Sequence, residues 1–223
     1  MKMKLIEKRP EVEGVFTFLF ESSEPVSWQP GQYMHYLMDQ EHPDERGIER
    51  WFTIAAAPFE KHIQITTRFD GEKQSSFKQA LLAMEPGAEI EADGPKGSFI
   101  LQPGDVKHVF IAGGIGITPY RSMLAQMNHD NNMGNIDLLY ANRDDNFVFG
   151  PELEEIAAAH PSFKIIKFVD KKIEEGNLKD YLADDSVIFY LSGPRPMVES
   201  YEGLLKSKNV LENHIETDYF PGY

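Results

Sequence analysis

Residues 109–124 read Val109-Phe110-Ile111-Ala112-Gly113-Gly114-Ile115-Gly116-Ile117-Thr118-Pro119-Tyr120-Arg121-Ser122-Met123-Leu124 and restrict the fold more than any other stretch. Four apolar residues, two of them β-branched, predict a short buried strand that the glycines end. Thr118 falls where a helix N-cap belongs, with Pro119 at the first helical position and an apolar-spaced segment behind it. A strand, a glycine turn and a helix N-terminus in that order form an anion site. Backbone N–H groups and the positive end of the helix dipole face whatever phosphate approaches. The spacing is Gly114-x-Gly116-x-x-Pro119, so a proline stands where the dinucleotide-binding turn G-x-G-x-x-G has its third glycine. Two readings fit these residues: a nucleotide-phosphate loop and an ordinary tight βα turn.

Upstream of this stretch the chain punctuates like an all-β unit. Val15 to Phe20, Gln32 to Met38, Trp51 to Ile54 and Ile63 to Phe69 are aromatic and β-branched runs closed by polar or turn residues. In the last of them Ile63, Ile65, Thr67 and Phe69 alternate, which predicts a half-buried strand, and Asp70-Gly71 turns the chain. Ser75 to Met84 has helical spacing, with Ser75 or Ser76 as N-cap, and Pro86-Gly87 ends it. Ala88 to Ala92 and Ser98 to Leu101 read as short strands around Asp93-Gly94-Pro95-Lys96-Gly97. Many short strands with one helix suggest an antiparallel Greek-key barrel.

After Gln102-Pro103-Gly104-Asp105 the hydrophobic period changes. Strands at 109–112, 136–140, 163–169, 187–191 and near 214–217 alternate with helices at 119–127, 151–159, 178–182 and 196–205. That alternation predicts a parallel sheet covered by helices, a Rossmann-like α/β domain. The expected organisation is a barrel over 1–102 followed by an α/β domain over 103–223.

Composition narrows the chemistry. The chain has no cysteine, which removes disulfides, cysteine zinc sites and cysteine-held iron–sulfur clusters. Its seven histidines show no ligand spacing, predict no metal site and are expected at the surface or at strand edges. A net charge of −14 argues against nucleic acid, which needs a basic footprint. No run approaches the roughly 20 apolar residues of a membrane span, and the N-terminus has no signal-peptide pattern, so a cytoplasmic location is expected.

One barrel segment carries further chemistry. A strand presenting Arg50 and Phe52 on one face and Thr53 on the other sets a cation, a flat ring and a hydroxyl along one extended ligand. The same residues also suit a plain strand with an exposed arginine. Arg50-x-Phe52-Thr53 is similar to the R-x-Y-[ST] flavin motif of the ferredoxin–NADP reductase family, and Pro30-Gly31-Gln32 resembles its P-G-Q turn. Ile65-Thr66-Thr67-Arg68, Ser75-Ser76 and Gly94-Pro95-Lys96-Gly97 follow in family order. Gly113-Gly114-Ile115-Gly116-Ile117-Thr118-Pro119 matches G-G-x-G-x-T-P. Ser192-Gly193-Pro194-Arg195-Pro196-Met197 resembles C-G-P-x-P-M, and Asp218-Tyr219-Phe220-Pro221-Gly222-Tyr223 resembles an E-x-F C-terminus.

The resemblance implies FAD on the barrel, NADH or NADPH on the α/β domain, and hydride transfer between them. Carried over, Arg50 holds the pyrophosphate, Phe52 stacks on the isoalloxazine, Thr53 bonds near N5, and Trp51 belongs to the same flavin strand. Thr66, Thr67 and Arg68 face the flavin phosphates, and Ser75 and Ser76 present N–H and hydroxyl groups to them. Gly113, Gly114, Gly116, Thr118 and Pro119 line the nicotinamide nucleotide, with Gly193, Pro194 and Met197 opposite. Thr53, Ser192, Asp218 and Phe220 are the implied catalytic positions, and Phe220 or Tyr223 covers the flavin. Three residues depart from the pattern: Phe52 for tyrosine, Ser192 for cysteine and Asp218 for glutamate. Asn142 and Arg143 stand where donor choice is made, and they leave NADH and NADPH both open.

The implied activity is an NAD(P)H-dependent reductase that passes electrons to an external acceptor, a redox protein such as ferredoxin. A small-molecule acceptor (quinone, free flavin or ferric complex) is the alternative. A nucleotide-binding module without turnover is the alternative from another class. A methyltransferase would leave the barrel residues unexplained. Oligomeric state is not legible.

Overall fold

The computed structural model describes residues 1–69 and 74–220, with the backbone alone at Phe220. The expected Asp70-Gly71 turn and Tyr223 lie outside the described residues. The first sheet comprises β1 (Lys2–Val12), β2 (Val15–Ser22), β3 (Tyr33–Leu37), β4 (Glu49–Thr53), β5 (Ile63–Arg68) and β6 (Glu89–Lys96), with helix α1 (Ser76–Ala83) between β5 and β6. Its order is β4-β3-β6-β1-β2-β5, and every paired neighbour is antiparallel. The second sheet holds β7 (His108–Gly113), β8 (Ile136–Asn142), β9 (Phe163–Val169), β10 (Ile188–Pro194) and β11 (Ile215–Phe220). Helices α2 (Thr118–His129), α3 (Gly150–Ala159), α4 (Glu175–Leu178) and α5 (Arg195–Ser207) connect them. All five strands are parallel, in the order β11-β10-β7-β8-β9. The two-part fold is thus the one expected.

Burial explains the two sequence patterns. In β1, Met3 and Leu5 face the barrel core beside Phe18, Phe20 and Tyr36, while Lys2 and Lys4 face solvent. β7 is buried at every position because helices cover both faces of its sheet. Phe110 and Ala112 point to the side of α2 and α3, and Val109 and Ile111 point to the side of α5. The first of those clusters also takes in Val15, Ala55 and Phe99, so the two sheets share apolar contact.

The structure corrects several local expectations. The longest strand, β1, lies in the charged N-terminal stretch, where only Met3 and Leu5 signal it. Ser98–Leu101 is not a strand. Phe99 leaves the barrel and packs on Tyr120 and Tyr190, at 5.9 and 5.5 Å between ring centroids. β6 runs on through Lys96, with a cis Gly94–Pro95 peptide, where the residues suggest a turn. β5 is buried on both faces: Thr66 bonds Thr17 hydroxyl to hydroxyl at 2.6 Å, and the strand lies against the glycine turn of the second sheet. The 178–182 helix is α4 followed by a 3-10 turn at Tyr181–Ala183. His108 is buried on a central strand beside Tyr190, not at an edge, and burial lowers its pKa so that it stays neutral.

Candidate active site

The two edge strands of the first sheet, β4 and β5, meet at one end. There the Ala55 N–H donates to the Gln64 carbonyl at 2.9 Å. Toward Arg50 and Arg68 the two strands are not paired, and α1 closes that side. Arg50 and Phe52 face α1 together, as the alternation predicts. The Arg50 guanidinium sits 5.5 Å from the Phe77 ring, and the Phe52 ring is 5.9 Å from the same ring. Phe52 also packs at 5.8 Å on Tyr36 and is buried in the barrel core. Trp51 points the other way, exposed, and stacks on His35 at 4.7 Å.

Arg50 is only partly satisfied. Its Nη1 donates to the carbonyls of Arg46 (2.8 Å), Gly47 (3.3 Å) and Glu49. Its Nη2 is buried and has no partner among the described residues. Burial pulls its pKa down, partly countered by the nearby Asp44. A buried guanidinium nitrogen without an acceptor is costly unless an anion joins it, which fits a diphosphate.

At the start of α1, Ser75 is the N-cap and accepts from the Lys78 N–H at 3.2 Å. Ser76 is already occupied: its N–H donates to Asp44 and its Oγ accepts from the Asp44 N–H, both at 3.0 Å. Those contacts, with Arg46 on the same carboxylate, hold Asp44 below the usual carboxylate range. Thr53, Thr66 and Thr67 are buried, and Arg68 lies at the open end of β5.

The second half lies where the strand order reverses, between β7 and β10. Open α/β sheets bind ligands at the carboxyl ends of the strands at this point. The turn after β7 is a 3-10 turn, Gly114–Ile117, that runs directly into α2. Thr118 is therefore not an N-cap, and its hydroxyl donates back to the Ile115 carbonyl at 3.2 Å. The glycines have a packing reason. A Cβ on Gly116 would run into the Ser192 carbonyl, and one on Gly113 into the Met197 thioether, so the end of β7 and its turn press on the end of β10 and the start of α5. Gly114, at φ +52°, is open, with Asn142 Oδ1 as its nearest neighbour. Gly113, Gly114, Gly116, Asn142, Ser192, Gly193 and Met197 thus come together.

Asp218 joins them from β11, opposite Ser192 in the strand register. Its Oδ2 and the Ser192 Oγ are sealed from solvent, and neither makes a hydrogen bond of ordinary geometry among the described residues. Burial pushes the Asp218 carboxyl up to about 6, against a smaller pull from Ser192. The Phe220 side chain and Tyr223 fall outside the described residues. Arg143 is exposed. The neighbouring Asp144 accepts instead from the Asn142 amide at 3.0 Å and the Asn146 N–H at 2.9 Å.

The halves are joined by side chains that the sequence does not single out. Ser122 Oγ donates to the Ala56 carbonyl at 2.6 Å, an oxygen that also accepts from Trp28 Nε1 within the barrel at 3.0 Å. Arg121 Nη1 donates to the Ala55 carbonyl at 3.2 Å. A Cβ on Gly31, in the Pro30-Gly31-Gln32 turn, would strike Phe99 and Met123. Arg121 and Ser122 lie within the opening glycine stretch, but their partners are 66 residues away, and no local pattern points to them.

An antiparallel sheet with an anion-ready edge thus lies against the switch-point turn of a parallel one. Residues 110–203 match the family model described as "Oxidoreductase NAD-binding domain". The chain is 25% identical to one component of the Na(+)-translocating NADH-quinone reductase of Neisseria meningitidis, aligned over 97% of this chain and 59% of that one. Its fold matches the flavohem-like FAD/NAD-binding domain of nitric oxide dioxygenase from Vibrio cholerae, at TM-score 0.83, 19% identity and 98% of each chain. It also matches ferredoxin-NADP+ reductase from Plasmodium falciparum, at TM-score 0.80 and 18% identity, over 98% of this chain and 95% of that one. The family model thus covers the parallel-sheet half of the chain, and the solved structures share its two-part fold over nearly its whole length. It spans 53% and 59% of the length of two curated relatives, a flavohemoprotein and the quinone reductase component. No helix among the described residues is long and apolar enough to cross a membrane.

Proposed function

We propose that this chain is an NAD(P)H-dependent flavin oxidoreductase that passes electrons to a separate acceptor. The proposed boundary between a flavin domain and a pyridine-nucleotide domain lies at residues 102 and 103. The observation that carries the reading is the junction itself. The switch-point turn is held by Ser122 and Arg121 against Ala55 and Ala56, the residues just beyond Thr53. The flavin supplies the chemistry, accepting two electrons as hydride and releasing them singly. The protein's residues bind and orient. Arg50 and the α1 N-terminus hold the diphosphate, with Phe52 and Phe77 as apolar support. Thr53 offers its hydroxyl at the strand end. The turn at Gly113–Gly116, packed on Ser192 and Gly193 at the end of β10, receives the nicotinamide nucleotide.

The acceptor lies outside the chain, which has no cysteine to hold a cluster. A redox protein such as ferredoxin is the first candidate. The net charge of −14 favours the alternative of a small molecule over an acidic protein. Flavin absorption bands in the purified protein, bleached by NADH or NADPH, are the expected result, and protein that takes up no FAD sinks the reading. Titration with each donor in turn assigns the nucleotide, since Arg143 is the group that would meet a 2′-phosphate.

The reading gives Asp218 a measurable signature. Its folded-state pKa of about 6 lies above the ordinary carboxylate value of 3.8. The fold therefore favours the neutral acid. That contribution is complete below the unfolded pKa and is lost as pH rises through about 6, at a cost of up to about 3 kcal/mol. Asp218→Asn is expected to raise Tm at pH 8 and leave it unchanged at pH 4. In the same variant the rate of flavin bleaching by NAD(P)H loses its rise through pH 6, because an anion at this position favours a ring that becomes cationic as it gives up hydride. Equal Tm gains at both pH values, or an unaltered rate profile, would refute the assignment.

A further inference from the structure

Arg121 is a buried cation with partners on three elements. From α2 its Nη1 reaches the Ala55 carbonyl at 3.2 Å and Glu60 in the 3-10 turn Pro58–Glu60. Its Nη2 donates to Glu60 Oε1 at 2.9 Å and lies 2.7 Å from Glu152 Oε1 of α3, while Nε donates to Glu152 Oε2 at 3.0 Å. Glu60 in turn accepts from the Ala57 N–H at 2.6 Å. Ala55 lies two residues beyond Thr53, at the end of β4, and Arg121 lies three residues beyond Thr118, at the start of α2. One rigid, planar side chain therefore ties the strand that ends in Thr53 to the helix that starts at the nicotinamide turn. A lysine, with one compact charge, could not meet three acceptors spread in this way.

We infer that Arg121 is a positioning residue that fixes the distance between the two half-sites, with Glu60 as its anchor on the barrel side. This rests on the flavin and nicotinamide reading above. Hydride transfer needs donor and acceptor atoms within roughly 3–3.5 Å, and a misplacement of about 1 Å can cost about 100-fold. A fold needs no such fork to keep its two sheets in contact, because Ser122 and the apolar cluster around Ala55 already hold them. Glu152 serves as the internal control. It binds the same guanidinium but belongs to α3, on the same sheet as α2, so it does not bridge to the barrel.

A cleft of about 270 Å³ opens onto this fork, lined by Phe59, Glu60, Arg121, Asn128, Glu152 and Glu155 among others. It gives a free guanidinium ion a route to the place that the side chain would vacate. The test is rapid mixing of FAD-loaded protein with saturating NADH or NADPH, alongside binding titrations and Tm. Arg121→Ala is expected to bleach about 10- to 100-fold more slowly, with FAD and nucleotide affinities within about threefold of the parent. Millimolar guanidinium restores part of the rate, and Arg121→Lys lies between. Glu60→Gln slows bleaching, and Glu152→Gln does not, although both lower Tm. That pair carries the test if Arg121→Ala fails to fold. Parent-like bleaching by Arg121→Ala overturns the inference alone, and so does an equal slowing in Glu60→Gln and Glu152→Gln. Parent protein that binds FAD and is bleached by neither donor overturns the functional reading, and the inference with it.

Discussion

Gly116→Ala is expected to lower Tm by roughly 5–10 °C and to weaken nucleotide binding at the same time. The added methyl has no open space. It would run into the Ser192 carbonyl and the backbone around Gly193, on a central strand paired on both sides. Overpacking at a site that cannot shift costs about 1–3 kcal/mol, which for a chain of this size is several degrees. The turn after β7 and the end of β10 are then forced apart at the place that would receive the nicotinamide. Gly114→Ala is the comparison. Its methyl would find room, 3.8 Å from Asn142 Oδ1, and its penalty comes only from φ +52°, about 1 kcal/mol. Thermal unfolding and nucleotide titration of both variants decide the matter. If Gly116→Ala is no less stable than Gly114→Ala, the close packing of this turn on the end of β10 is not what requires the glycine.

Arg50→Leu is expected to reduce FAD affinity by about 10- to 100-fold, the loss of roughly 1.5–3 kcal/mol of charge-assisted hydrogen bonding. Its effect on cofactor-free protein should have the opposite sign or be small. Without an anion, Arg50 is a partly buried charge whose hydrogen bonds among the described residues go to backbone carbonyls, with one buried nitrogen that has no partner there. Burying such a group is unfavourable until something negative completes it. Arg50→Lys keeps the charge but loses the fork, so its affinity should fall between the two. Fluorescence titration of cofactor-free protein with FAD, and Tm with and without FAD, measure both halves. An Arg50→Leu protein that is purified with a full complement of flavin removes Arg50 from the site.

Much of this molecule is legible in its residues because the relevant signals are local. The change from strand-rich punctuation to alternating strands and helices follows from which faces each element must bury, and hydropathy periods record that directly. Glycine and proline positions record backbone constraints in the same way. The signals fail where a residue's environment is made by distant chain. β1 gives no strand reading by itself, since its strand character rests on Met3 and Leu5 meeting β2 and β6. Ser98–Leu101 reads as a strand because its apolar residues are needed, though by the aromatic cluster of the second sheet and not by a ladder. β5 reads as half-buried because its second face is covered by the glycine turn of another sheet.

The candidate site divides along the same line. The sequence alone determined which residue types suit a phosphate and, through the resemblance, the expected order of the flavin and nicotinamide contacts. Side-chain chemistry and short spacings are preserved in a linear text. Only the tertiary structure decided why Gly113 and Gly116 must be glycine, since the atoms they make room for belong to Met197 and Ser192. It also decided that Ser76 is already held by Asp44, that Asp218 is sealed beside Ser192, and that Arg121 spans the two sheets. Each of these depends on groups brought together from far along the chain, and such encounters are fixed by packing, which no local pattern encodes.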